Sequence, residues 1–227
     1  MYQYETHLHT SPVSRCGKAS VEESLKFYKD LGYDGVFITN HFLDGNINIE
    51  KEISYEEKIA FYFSDYEKGV EIGKALDIKV FCGVELSYGG TDFLVYGLDK
   101  AWFLSNPEIM EMKKSEELLF MKDQGALIIQ AHPFREASYI DHVRLFPRHV
   151  HGVETVNASR KDEENRLAKI YARHYGLIEF AGSDNHSASK REKLAGVFFE
   201  APVLSVEDFI DKVKNQKAKI FTCDNER

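Results

Sequence analysis

Two short motifs near the ends of the chain contain side chains that commonly bind metal ions. His7-Leu8-His9 places two imidazoles two residues apart, and Asp184-Asn185-His186 joins a carboxylate to an imidazole. Imidazole and carboxylate together form a ligand set that suits zinc, manganese and iron. Each motif alone is a weak indication, because histidine is also an ordinary half-buried residue. Whether the two motifs form one metal site therefore depends on the strands and helices that would bring them together.

Short apolar runs alternate with longer segments of helical periodicity, which is typical of βα units around a parallel sheet. Nine runs are predicted as strands: 2–5, 36–39, 80–85, 93–96, 127–130, 153–156, 178–181, 197–199 and 219–222. Five segments are predicted as helices: 20–31, 54–77, 107–124, 161–175 and 205–216. Ser20 to Glu23 and Ser54 to Glu57 match the capping box that begins a helix. We expect a single α/β domain over residues 1–227.

Several predicted strands end in, or are followed by, a histidine or a carboxylate. In a barrel of parallel strands all carboxyl ends open on one face, where barrel enzymes assemble their sites. A lone carboxylate at the end of an apolar strand is costly unless it is paired, so Glu85 is a candidate bridge between two cations, with a salt bridge to a helix as the alternative. We expect these side chains to converge: His7, His9, His41, Glu85, His132, Asp184 and His186. The other histidines are interpreted as surface or packing residues: His142, His149, His151 and His174.

Charge and composition argue against several classes of protein. The formal net charge is −8, from 29 Lys and Arg against 37 Asp and Glu, which disfavours binding of nucleic acid over a broad basic face. No leader-like segment follows Met1, and no apolar run reaches the ~18 residues of a membrane span, so a cytoplasmic location is expected. Cys16, Cys82 and Cys223 are far apart and predict neither a disulfide framework nor a zinc knuckle.

The ordered motifs resemble those of the PHP (polymerase and histidinol phosphatase) superfamily, from residue 5 to about residue 200. They are His7-Leu8-His9, Ile38-Thr39-Asn40-His41, Gly83-Val84-Glu85, Ala131-His132-Pro133-Phe134-Arg135, Gly152-Val153-Glu154-Thr155-Val156-Asn157 and Gly182-Ser183-Asp184-Asn185-His186. The resemblance implies a distorted TIM-like (β/α)7 barrel that holds two or three divalent transition metal ions, namely manganese, zinc or iron. It carries the ligand role over to His7, His9, His41, Glu85, His132, Asp184 and His186.

Two positions depart from the pattern of the superfamily. Where many members have Asp or His shortly after the H-x-H motif, this chain has Arg15 and Cys16. Where many have a ligand histidine in the strand after the glutamate, it has Asp92, which could ligate through its carboxylate. Cys16 is either a metal ligand or a buried packing residue. The occupancy of a third metal position is therefore left open.

The resemblance implies hydrolysis of a phosphate monoester of a small molecule, as in histidinol phosphatase, by a water that the metal ions activate. Arg15 and Arg135 are candidate contacts to the phosphate oxygens, with solvated surface residues as the alternative. The expected partner is a small phosphorylated substrate rather than nucleic acid or a membrane. Two other functions remain as alternatives: phosphodiesterase or nuclease-like PHP activity on nucleotides, and a non-catalytic metal-binding regulatory module.

Overall fold

The computed structural model describes residues 1–50, 52–189 and 193–224. Within these ranges nine strands form one sheet: β1 (Tyr2–Leu8), β2 (Gly35–Ile38), β3 (Lys79–Tyr88), β4 (Thr91–Tyr96), β5 (Leu127–Ala131), β6 (Gly152–Asn157), β7 (Ile178–Gly182), β8 (Lys193–Phe199) and β9 (Lys219–Asp224). The helices described are α1 (Val21–Asp30), α2 (Tyr55–Leu76), α3 (Lys100–Ser105), a 3-10 helix (Pro107–Glu111), α4 (Lys114–Asp123), α5 (Asp162–Tyr175) and α6 (Val206–Lys214). Each predicted strand corresponds to one of the observed strands.

Seven of the strands curl into a nearly closed barrel, in the order β7-β6-β5-β4-β3-β2-β1. The two ends of this sheet meet just beyond β1 and β7, where Leu8 pairs with Asn185 in parallel. There the backbone N–H of His9 donates to the Asn185 carbonyl at 2.9 Å. β8 and β9 extend the sheet from β1 as antiparallel neighbours. The predicted α/β class and distorted TIM-like (β/α)7 barrel are therefore confirmed.

Within the seven-stranded barrel, one strand breaks the parallel pattern that the sequence predicts. β4 runs antiparallel to both β3 and β5. β3 continues past Glu85 to Tyr88 and returns through Gly89 and Gly90, whose φ angles of 57° and 86° suit a two-residue hairpin. The prediction that this strand ends at Glu85 is wrong, because the strand continues for three more residues to the Gly-Gly turn. Since β4 begins at the rim where the parallel strands end, Asp92 still lies at that rim.

Two of the long helices begin as predicted. Ser20 and Ser54 accept hydrogen bonds from the backbone N–H groups of Glu23 and Glu57, whose side chains accept one in return. The helix predicted over 107–124 is instead a 3-10 helix and α4 with a break between them. α3 has no counterpart in the prediction, because six residues are too few to show a helical period. None of the described helices is long and apolar enough to cross a lipid bilayer.

Aromatic side chains fill the end of the barrel where the parallel strands begin. β8 ends beside Tyr2 at the start of β1, so α6, which follows β8, lies at this end. Phe209 of α6 is fully buried, with its ring centroid 4.2 Å from that of Phe37 and 5.3 Å from that of Tyr96. Burial of each such ring is worth roughly 1.5–3 kcal/mol. A close-packed apolar core at this end of the barrel thus supports the polar rim at the other end.

Candidate metal centre

The carboxyl ends of the parallel strands bring the predicted ligands to one rim. His7 is the next-to-last residue of β1, and His9 comes directly after this strand. His132 comes directly after β5, and Asp184 comes shortly after β7. Among the described residues, three groups of ligand atoms lie within 4.8 Å of one another: His9, Cys16, His41 and His186; His7, Glu85 and His132; and His7, His9 and Asp184. All seven side chains proposed as ligands are therefore brought together. That each of them binds metal stays a prediction.

Glu85 lies between two of these groups and directs one oxygen at each. Its Oε1 is 3.1 Å from His7 Nε2 and 3.6 Å from His132 Nε2. Its Oε2 is 2.8 Å from His41 Nδ1 and 3.3 Å from His9 Nε2. Glu85 is 1% exposed, and neither oxygen has a hydrogen-bond partner among the described residues. This geometry suits a carboxylate that bridges two cations, and its close neighbours are imidazoles rather than a helical lysine or arginine.

The buried carboxylate of Glu85 is kept ionised by the surrounding histidines. Burial acts to raise its pKa, but the charges of His41 and His7 outweigh that effect and hold the pKa well below its usual range. The reciprocal effect falls on His41, whose pKa rises to about 11 against the lowering effect of burial, mainly because it faces Glu85. The centre therefore attracts cations at neutral pH, whether these are protons or metal ions.

Glu154 determines which nitrogen of His7 carries the proton. Its Oε1 accepts a hydrogen bond from His7 Nδ1 at 2.9 Å, so the lone pair of His7 Nε2 is left for the centre. Its Oε2 accepts from the backbone N–H of His132 at 3.1 Å and from Asn157 Nδ2 at 2.9 Å. One buried carboxylate therefore orients two of the histidines.

A chain of hydrogen bonds determines the proton position of His9 in the same way. Asn40 Nδ2 donates to Asp65 Oδ2 at 3.3 Å, so Asn40 Oδ1 acts as the acceptor for the Ser14 hydroxyl at 2.9 Å. The Ser14 oxygen can then only accept, and it accepts from the backbone N–H of His41 at 3.0 Å and from His9 Nδ1 at 3.2 Å. With Nδ1 protonated, His9 Nε2 carries a free lone pair.

The free nitrogens of His7 and His9 face each other, with 3.1 Å between the two Nε2 atoms. Two lone pairs at that distance repel each other unless a cation lies between them. A proton can serve in the metal-free protein: burial acts to lower the pKa of His7, but Glu154 and Asp184 raise it well above 6.5. Burial lowers the pKa of His9 to about 3. A divalent ion that binds here would replace the proton on His7.

Asp184 and His186 add to the ligand cluster from the segment after β7, which pairs with the end of β1 where the barrel closes. Asp184 Oδ1 lies 3.5 Å from His9 Nε2 and 3.7 Å from His7 Nε2. Burial would raise the Asp184 pKa, but the histidines around it lower it below its ordinary value. His186 Nδ1 donates to the Asp184 carbonyl at 2.9 Å, so its Nε2 is also unprotonated in the neutral ring. Both side chains are thus in the state that a metal ion requires.

A cavity of about 490 Å³ opens onto the cluster. Its lining includes Asp92, Arg135, Tyr139 and Arg160 as well as cluster residues. Arg135 Nη1 donates to Asp92 Oδ2 at 3.4 Å. The Nε atoms of Arg135 and Arg160 are buried and have no hydrogen-bond partner among the described residues. Two guanidinium groups with donors to spare therefore line the same cavity as the candidate ligands.

Arg15 and Asp92 occupy different places relative to the centre. Arg15 is exposed and lines a separate depression beside Ile47, so the structure does not bring it to the cavity as a phosphate contact. Its neighbour Cys16 faces the histidines instead, which leaves Arg15 on the outer side of the loop. Asp92 Oδ2 lies 3.8 Å from His132 Nε2, close to the centre but outside the three ligand groups.

Comparison with known proteins gives a family match over one segment and several structures with the same fold. Residues 162–218 match the family model of PHP-associated sequences, PHP_C. A two-domain protein from Bacteroides vulgatus, which contains a predicted PHP-like metal-dependent phosphoesterase, superposes with a TM-score of 0.70 at 16% sequence identity. The match to the PHP-associated family covers this segment alone, and over the whole chain the likeness to the two-domain protein is one of fold. The superposition covers 97% of this chain but 64% of the two-domain protein, so this chain spans less than two thirds of that relative's length.

Two further solved structures share this barrel fold. A putative metal-dependent phosphoesterase from Bifidobacterium adolescentis has a TM-score of 0.56 and 12% identity, over 95% of this chain and 96% of its own. An amidohydrolase from Chromobacterium violaceum, solved with bound sulfate and no metal, has a TM-score of 0.51 and 15% identity, over 81% of this chain and 87% of its own. A search of curated protein sequences found no match. At these identities the structural likeness concerns the fold alone.

Glu154, Ser14 and Arg160 are among the residues of this site that the sequence predictions missed. Glu154 carries the same indication as Glu85, a carboxylate inside an otherwise apolar strand, and it is completely buried. That pattern could have identified it. Ser14 and Arg160 carry no such indication, because a serine or an arginine in a connecting segment is most often solvated. Their roles follow only from the contacts of the folded chain.

Glu154→Gln tests whether the orientation of His7 and His132 supports metal binding. A glutamine can still accept from His7 Nδ1, but its amide group cannot accept from the His132 N–H and Asn157 Nδ2. Because such outer partners are worth about 10–100-fold in metal affinity, we expect a loss of that order in a competitive zinc titration. Glu163→Gln, which alters an exposed ion pair with Arg166, is the control. Equal affinities in the two variants would contradict the assignment.

Proposed function

We propose that this chain is a metal-dependent phosphoesterase that hydrolyses a phosphate monoester of a small molecule. One observation carries the proposal: a single cavity of about 490 Å³ is lined by clustered imidazoles and carboxylates and also by two guanidinium groups. Metal ions at the first set and hydrogen-bond donors at the second would together match the charge of a phosphate group.

The donor set of the cluster fits divalent transition ions. The opposed Nε2 lone pairs of His7 and His9 need bound cations to offset their repulsion, and both oxygens of the buried Glu85 lack hydrogen-bond partners among the described residues. His7, His132 and Glu85 would hold one ion, with Glu85 shared with a second ion beside His41. Imidazole with carboxylate suits zinc, manganese or iron. Bound ions would supply a nucleophile from water at neutral pH and neutralise charge on the phosphoryl group.

Arg135 and Arg160 are the groups of the chain that would hold the phosphate. Arg135 is braced by Asp92 and by Tyr139, whose hydroxyl accepts from its Nη2. Within the described part of the chain, neither guanidinium forms a two-point pair with a carboxylate, so each keeps donors for phosphate oxygens. Arg160 takes the place that the sequence prediction gave to Arg15.

The charge of the chain favours a small monoester over a polynucleotide. The formal net charge is −8, and the arginines that line the cavity in the described ranges are Arg135 and Arg160, which do not make an extended basic face. A polyanion binds through many phosphate contacts, which this surface composition does not favour. A monoester presents its charge at one end, where the ligand cluster and the guanidiniums lie together.

His9→Ala and Asp184→Ala test the proposed activity. Each removes a side chain from the cluster, so we expect turnover of an aryl phosphate with manganese, zinc or iron to fall to background while the circular dichroism spectrum is retained. His174→Ala, an exposed histidine in α5, is the matched control and should keep full turnover. Turnover that persists in both cluster variants would refute the proposal.

The same assay separates the alternative functions when a diester and an oligonucleotide are added to the substrate panel. Faster turnover of the diester or the oligonucleotide would favour nuclease-like PHP activity. Stoichiometric metal without turnover on any substrate would favour a regulatory module.

Arg160→Ala and Arg15→Ala form a matched pair for the phosphate contact. A hydrogen bond to a charged group contributes about 1.5–3 kcal/mol, so loss of Arg160 should lower kcat/KM by about 10–100-fold. Arg15→Ala should leave kcat/KM nearly unchanged, because Arg15 lies outside the cavity. Steady-state kinetics on the aryl phosphate provides the measurement. A larger effect from Arg15 would reverse the assignment of the two arginines.

A further inference from the structure

We propose that Cys16 is a metal ligand and that, with His9, His41 and His186, it forms a thiolate-containing position that selects zinc over manganese within the centre. The inference rests on the proposed metal-dependent function and adds an identity for one of its ions. The other ligand groups offer only imidazole and carboxylate atoms. One metal position would therefore have a soft thiolate ligand, whereas the neighbouring positions would have only harder nitrogen and oxygen ligands.

The backbone on both sides of Cys16 is held in place by hydrogen bonds. The N–H of Arg15 donates to the Asn46 carbonyl at 2.9 Å, and the N–H of Lys18 donates to the His186 carbonyl at 2.7 Å. A Cβ atom at Gly17 would lie 2.6 Å from the backbone carbon of Thr10, so only glycine allows this close approach. The loop is thus built to carry Cys16 at a defined distance from His186.

The surroundings of Cys16 are those of a ligand and not of a packing residue. Its sulfur lies with ligand atoms of His9, His41 and His186, all within 4.8 Å of one another, and it lines the cavity. A packing cysteine would be enclosed by apolar side chains. Instead, Cys16 is half-buried among imidazoles, whose rings pack with centroids 4.5 Å apart between His9 and His41 and between His9 and His186.

The hydrogen bonds described above leave one nitrogen of His9 and one of His186 free to bind a metal ion. His186 uses Nδ1 to donate to the Asp184 carbonyl, and His9 uses Nδ1 to donate to Ser14, so each presents Nε2. His9 has one lone pair and can serve only one ion. If it joins Cys16, His7 and Asp184 remain as ligands on the other side, which is consistent with separate positions.

The chemistry of the four ligands predicts which ion they prefer. Three nitrogens and one thiolate suit tetrahedral zinc, whereas manganese and magnesium favour oxygen ligands. Zinc at this position would bind through a ligand that the neighbouring positions do not have.

Cobalt substitution of the full chain reads out the thiolate directly. In the wild-type protein we expect a thiolate-to-cobalt charge-transfer band in the near ultraviolet, which imidazole and carboxylate ligands do not produce. Cys16→Ser should lose the band and about one equivalent of zinc per chain. Cys223→Ser, on β9, should keep both, because Cys223 lies outside the ligand groups.

Cys16→Asp tests the selectivity separately from the presence of a ligand. It replaces a soft donor by a hard one, so after loading with equal zinc and manganese the bound manganese-to-zinc ratio should rise by at least about tenfold, compared with the wild type. Elemental analysis after desalting gives the ratio, and circular dichroism checks the fold of each variant.

The possible outcomes separate this inference from the proposed function. Wild-type protein that binds metal and turns over substrate, but shows no charge-transfer band and the same zinc content as Cys16→Ser, would overturn the role of Cys16 alone. Wild-type protein that binds no metal would overturn both. A band lost in Cys16→Ser, with the ratio shifted in Cys16→Asp, supports the zinc-selective position even if the substrate is not a phosphate monoester.

Discussion

The candidate centre depends on the 3.1 Å approach of His7 Nε2 to His9 Nε2, which requires a cation. The same two residues close the barrel: the His9 N–H donates to the Asn185 carbonyl at 2.9 Å, and the Asn185 N–H donates to the His7 carbonyl at 3.2 Å. The hydrogen bonds that close the sheet therefore also fix the positions of the two imidazoles. This explains how side chains from both ends of the chain reach one point.

Buried carboxylates in this barrel divide into two kinds by their hydrogen bonds. Glu5 is fully buried, and its Oε1 accepts from the N–H groups of His7 and Ser183, each at 2.9 Å, while its Oε2 accepts from Tyr28 at 2.7 Å. Glu85 is also buried, yet neither of its oxygens has such a partner among the residues that the structure describes. An unsatisfied buried acceptor costs about 1–3 kcal/mol, and more when it is charged. The contrast indicates a structural role for Glu5 and a ligand role for Glu85.

The sequence predicts the strands and the convergence of the ligands well, because both follow from local patterns of apolar runs that end in polar residues. The antiparallel β4 is not predicted, since the direction of a strand depends on which neighbours it pairs with and not on its own residues. Arg15 and Arg160 show the same limit: one arginine lies outside the cavity and the other inside it, and only loop geometry distinguishes them. The sequence does not decide whether Cys16 is a metal ligand or a packing residue, because the histidines around it come from distant segments of the chain.

Anomalous X-ray diffraction from crystals grown with zinc tests the central claim most directly. The account predicts a peak at about 2.0–2.1 Å from each Nε2 atom that ligates, with density beside His7 and His9 and with Glu85 between two peaks. The two imidazoles should keep Nδ1 on Glu154 and Ser14. Peaks found only at the surface, or a cluster that stays empty with His7 and His9 still 3.1 Å apart at saturating zinc, would contradict it.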